Sequence, residues 1–100
     1  MIVSKATKDR ISRLSEQIKW NRASLEEYRE YRDILLRYGV PQEKIQRILS
    51  QSDFHDIDEY AKARMSAITL EQKKKMNDAI ITGALLGLGI GIIIGLVSKK

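Results

Sequence analysis

Ala79-Ile-Ile-Thr-Gly-Ala-Leu-Leu-Gly-Leu-Gly-Ile-Gly-Ile-Ile-Ile-Gly-Leu-Val-Ser98 is a run of twenty residues without a charge. At about 1.5 Å per residue a helix of this length spans about 30 Å, the thickness of a bilayer's hydrocarbon core. In lipid every backbone N–H and C=O must be paired within the segment, so a helix is required in spite of five glycines. Only 78 residues precede the run, too little protein to surround such a helix in a core. The run predicts a transmembrane helix over 79–98, followed by a basic tail, Lys99-Lys100.

Gly83, Gly87, Gly91 and Gly95 recur at intervals of four. Apolar side chains gain little by leaving lipid for one another, so close backbone approach is what glycine offers to association. Three overlapping G-x-x-x-G units predict a helix–helix interface with a second copy or with another transmembrane helix.

The flanks predict orientation. Arg64, Lys73, Lys74 and Lys75 lie before the run and Lys99 and Lys100 after it, which places the N-terminal domain in the cytoplasm. Lys73, Lys74, Lys75, Lys99 and Lys100 are also the candidate lipid-headgroup contacts, each worth roughly 1 kcal/mol near an anionic surface. A span at the end of the sequence predicts tail anchoring, with insertion after translation. At the other end, Met1-Ile2-Val3 is followed at once by Ser4-Lys5, too short an apolar run for a signal peptide.

The formal charge of +5 is patterned. Residues 1–23 hold six bases against two acids, residues 24–60 nine acids against five bases, and residues 61–78 five bases against two acids. A basic–acidic–basic chain suits contact between copies, or basic ends on phosphate. Lys5, Lys8, Arg10 and Arg13 are the candidate contacts to a phosphate-rich partner, whether nucleic acid, ribosome or lipid.

Outward from the run, helical periodicity dominates. Ile11, Leu14, Ile18, Leu25, Tyr28 and Leu35 share one face in a stretch free of Gly and Pro, with polar Asn21 and Arg32 in the same register. This predicts one helix over about 4–38, capped by Ser4 or Thr7 and stopped by Gly39 before Pro41. A short second helix over 41–51 carries Ile45, Ile48 and Leu49 on one face. Asp56-Ile57-Asp58-Glu59 then offers an acidic cap for a third helix, which nothing forces to break before residue 97. Phe54, Ile57, Ala61, Met65 and Ile68 mark its apolar stripe, which loses phase near Thr69 and allows a kink there. The segment 56–78 of that helix lies outside the lipid.

Residues 77–100 resemble the C-terminus of small bacterial inner-membrane proteins of the ElaB/YqjD type, which share a helical water-facing part, a glycine-zipper tail and a terminal basic dipeptide. Where that family has a polar-aromatic entry to the helix, this chain has Met76-Asn77-Asp78. The resemblance implies a tether holding ribosomes or other cytoplasmic partners at the membrane.

Enzyme signatures are missing. There is no Cys, so no disulfide or thiolate metal site. The single His55, between Asp53 and Asp58, reads as part of a helix start rather than a metal ligand. No phosphate-binding glycine loop and no catalytic triad is legible. Trp20, Tyr28, Tyr31, Tyr38 and Tyr60 read as helix-packing aromatics. The expectation is an all-α chain: a hairpin-like helical domain over 1–78, then one transmembrane helix. Its expected role is a non-enzymatic scaffold or tether without cofactors, self-associating and presenting a domain to a protein partner. A structural membrane protein linking a virion's lipid layer to capsid or genome, and an oligomeric pore or DNA-delivery component, are the alternatives.

Overall fold

The computed structural model describes residues 3–67 and 69–94, and the described chain is all-helical. Six helices follow one another: α1 (Lys5–Lys19), α2 (Leu25–Arg37), α3 (Gln42–Leu49), α4 (Ile57–Ser66), α5 (Leu70–Lys75) and α6 (Asp78–Ile93). A single turn of tighter helix, Ser50–Ser52, sits between α3 and α4.

The expected first helix is two helices, and local capping explains why. Ser4 caps α1 by accepting from the Thr7 N–H. At the other end Asn21 adopts φ 55°, the Arg22 N–H bonds back to Gln17 O, and the Asn21 N–H to Ile18 O. That is a Schellman stop with Asn in place of Gly. Ser24 then starts α2 with a reciprocal capping box to Glu27. The two helices fold back antiparallel, so that Arg10 near the start of α1 forks onto Glu30 of α2 at 2.6 Å for each of two bonds. The hairpin is formed by splitting the segment read as one rod.

Gly39 stops α2 in the same way, at φ 100°, with the Val40 N–H reaching Leu35 O. Asp53 (φ 63°) closes the turn after α3, and Asp56 caps α4 by accepting from the Glu59 N–H at 2.9 Å. His55 belongs to this helix start: its own N–H donates to Glu59 Oε1 at 2.8 Å.

The continuous helix expected from about 56 to 97 is likewise three helices. α4 ends at Ser66, Thr69 begins α5 with a capping box to Gln72, and Asn77 (φ 53°) turns the chain into α6. α6 is sixteen residues, about 24 Å, and no helix among the described residues is both long and apolar enough to cross a membrane. Of the expected span 79–98, residues 95–98 lie outside the described residues, as do Lys99 and Lys100.

The core runs through all these elements. Ile11, Leu14 and Ile18 of α1 meet Tyr28, Tyr31 and Leu35 of α2, Ile45 and Leu49 of α3, and Ile57, Tyr60 and Ala61 of α4. Tyr28 and Tyr60 stack edge to face with centroids 6.3 Å apart. α6 joins this core through Ile81, Leu85 and Ile92, packing mainly along α1 and also against α2, α3 and α5. The expectation that so small a domain could not hold the apolar run assumed that it must be enclosed. Here its described part, in α6, is covered on one side only.

Candidate functional site

The unusual element is α6, and its two faces differ. Asp78, Thr82, Leu85, Gly89 and Ile92 succeed one another at steps of three and four and face the bundle. Ile80, Gly83, Gly87, Ile90 and Ile94 form the opposite row, with the three isoleucines 60%, 54% and 62% exposed.

The inner face is fixed by polar contacts at its N-terminal half. The Asn77 side chain donates to Ser52 Oγ, which donates to Met76 O, both at 2.9 Å, pinning the turn into α6. One residue on, Asp78 accepts from Tyr60 at 3.3 Å and forms an ion pair with Arg64, Nε to Oδ1, at 2.6 Å. A carboxylate in a helix's first turn is also favoured by the helix dipole. Thr82 shares a short hydrogen bond with the Tyr60 hydroxyl, and the Tyr31 hydroxyl donates to Leu85 O at 2.8 Å. These contacts form a ladder up one side of an otherwise apolar helix.

Arg64 is the junction. Only 4% exposed, it donates from Nη1 to Ile18 O and, at 2.9 Å, to the Tyr28 hydroxyl, while its own carbonyl accepts from Asn21 at 3.1 Å. It therefore joins the end of α1, the start of α2, α4 and the start of α6. Its guanidinium also lies 5.9 Å from the Tyr60 ring centroid. In sequence Arg64 counts among the cations flanking the apolar run; in the fold it is a buried, paired core residue. Burial pushes the Tyr31 hydroxyl up to about 12, and it likewise raises Tyr28 and Tyr60 above the ordinary phenol value.

The row of zipper glycines divides in this fold. An ideal helix carries every fourth residue about 40° further round, so the row drifts across the surface. Gly83 and Gly87 are exposed, and a Cβ at either would meet no atom within 4 Å. Gly91 is buried beside the α2–α3 turn, where Gly39, Pro41, Lys44, Gly87 and Gly91 line a hollow of about 340 Å³. Gly95 lies outside the described residues. Gly89, outside the row, does meet a neighbour: a Cβ there would overlap the Tyr31 hydroxyl. A larger cleft of about 540 Å³ separates Ser12, Glu16 and Lys19 of α1 from Gly83, Leu86 and Ile90 of α6.

Of the basic candidates, Arg10 is committed to Glu30, and Lys5 lies 3.6 Å from Asp9. Lys8 and Arg13 are exposed and carry no ion pair among the described residues. Lys73, Lys74 and Lys75 form the last turn of α5, immediately before the corner that leads into α6, and make no ion pair among the described residues. Glu30 and Asp58 are held below the ordinary carboxylate range by hydrogen bonds from Arg10 and Arg29. Among the described residues no group of three or more His, Cys, Asp and Glu side chains could hold a metal ion.

No protein-family model matches the chain, and comparisons with curated proteins and with solved structures found no match.

Proposed function

We propose that the chain is a non-enzymatic membrane tether or scaffold, in which residues 79–98 are the lipid-seeking segment and the preceding helices are the water-facing domain. The observation that carries this reading is twenty residues without a charge, the length that matches a bilayer core. The outer row of α6 supports it: three exposed isoleucines around open glycines are apolar surface that water does not favour and lipid would cover. Lys73, Lys74 and Lys75 end α5 just before that element, where headgroup phosphates would lie, and set the helical domain on the cytoplasmic side. Gly83 and Gly87 leave room for a second backbone, so copies associate through that part of the helix.

The test is reconstitution of the full chain with vesicles of mixed phosphatidylglycerol and phosphatidylcholine, followed by flotation and a high-salt wash. The expected result is that the protein floats with lipid and resists salt, since apolar insertion is not screened. Protein left at the bottom of the gradient, or stripped by salt, would overturn the reading.

A further inference from the structure

α6 cannot lie along α1 and cross a bilayer at once. The face of α1 turned away from the core carries Lys5, Lys8, Asp9, Arg13, Glu16 and Lys19, and these charges would have to enter hydrocarbon with it. The packed and inserted arrangements of α6 are therefore mutually exclusive. We propose that the α1–α4 bundle is a docking groove for α6, sheltering the apolar helix in water and releasing it to lipid, with the Arg64–Asp78–Tyr60 junction as the catch. This rests on the reading of residues 79–98 as the lipid-seeking segment.

The occupant of the groove is visible in the structure, and the groove recognises it by more than apolarity. Tyr31 reads Gly89 by shape and Leu85 O by a hydrogen bond, Tyr60 reads Thr82 and Asp78, and Arg64 reads the Asp78 charge. A generic apolar helix lacks this set. All these contacts come from one face, so they are made together and lost together.

The placement of the polar groups also suits release. Asp78 stands one residue before the uncharged run, so it leaves the bundle without entering hydrocarbon. The Thr82 hydroxyl can turn to the carbonyl four residues back, the usual refuge of a helical threonine in lipid. Arg64, left behind, keeps Ile18 O and the Tyr28 hydroxyl as partners while water enters the vacated groove. Meanwhile Ile80, Ile90 and Ile94 face outward in the packed state, so lipid can touch α6 before the catch opens.

The catch is tested by variants that change only the bundle side, leaving the lipid affinity of residues 79–98 untouched. Full-length Tyr60→Phe and Arg64→Met are mixed with the phosphatidylglycerol–phosphatidylcholine vesicles used above, and insertion is timed by protease protection. Loss of a buried hydrogen bond to α6 should speed insertion about fivefold in Tyr60→Phe, with more in Arg64→Met and the same end point in both. Ile57→Ala, a full core truncation, shows what general unfolding does to the rate. A milder trim at the same residue, Ile57→Val, is used alongside it: it shortens a side chain where α4 meets α2 and α3, outside the Arg64–Asp78–Tyr60 junction, and should insert at the parent rate. Parent rates in Tyr60→Phe, which keeps the ring and the fold, would overturn the catch. So would equal acceleration by Ile57→Val, because any slight loosening would then suffice. Failure of the parent protein to enter vesicles at all would instead sink the membrane reading beneath it.

Discussion

α1 and α6 lie against each other and are nearly the same length, yet they are written in opposite alphabets. α1 is amphipathic: Ile11, Leu14 and Ile18 are buried, and the rest of its surface is mostly charged or polar. Its sequence alone states which side is inside. α6 beyond Asp78 has no charge on either side, so its sequence does not distinguish the bundle-facing row from the outward row. Selection of one face falls to a few polar atoms and one glycine. Apolar content says that a helix must leave water; polar detail says where it goes.

The comparison breaks most visibly on truncation of a leucine. Leu14→Ala on α1 removes a fully buried side chain and should cost about 2–5 kcal/mol, enough to unfold much of a domain this small. Ile90→Ala on the outer row of α6 should move stability in water by less than about 0.5 kcal/mol. Thermal or urea melting of the two variants decides it, and equal losses would mean that α6 is buried on both sides.

Gly89→Ala is the next largest effect. The added methyl meets Tyr31, whose hydroxyl must give up Leu85 O or push α6 away, so a loss of about 1–3 kcal/mol is expected. The nearby Gly83→Ala has open space and should be neutral or stabilise by up to about 1 kcal/mol through helix propensity. Melting curves of the pair sharpen the difference between inner and outer rows; a reversed order would contradict it.

The effects of pH come last because they are small over the ordinary range and emerge only at its two ends. Tyr31 is un-ionised in the fold until about pH 12, whereas an unfolded tyrosine ionises near its ordinary value of about 10. Its contribution is fully present below pH 10 and is lost as pH rises towards 12, so α6 should loosen in that window while tyrosinate absorbance grows. At the acid end Glu30 and Asp58, depressed by their arginines, stabilise above the ordinary carboxylate range and lose that contribution as pH falls through their folded values. Both pairs are partly exposed, so this limb is shallow and flattens with salt. Circular dichroism across both ranges gives the two slopes.

Sequence patterning made the all-helical class, the stop at Gly39, the buried face of α3 and the acidic cap at Asp56 legible, because each depends on neighbours in the chain. The division of α1 from α2 was hidden by phase. The register Leu14, Ile18, Asn21, Leu25, Tyr28 runs unbroken through the turn, so periodicity reports one helix. Only the Ser24-x-x-Glu27 capping box marks the new start. Arg64 could not be read at all, since its partners Ile18, Tyr28 and Asp78 come from three distant segments. Likewise Gly89 falls outside the four-residue glycine row, and its use depends on a tyrosine far back in the chain.

Asn77 bends the chain at a cost that glycine would not incur, since a left-handed backbone disfavours any Cβ by about 1 kcal/mol. A turn of this one residue into the right-handed region would remove the corner and fuse α5 with α6. The product is a rod from residue 70 to residue 93, about 36 Å long, with the three lysines wound onto its first turns. The corner that separates a folded-back bundle from a straight charged-then-greasy stave thus sits in the backbone of one residue, whose side chain is tied to Ser52 on the folded-back side.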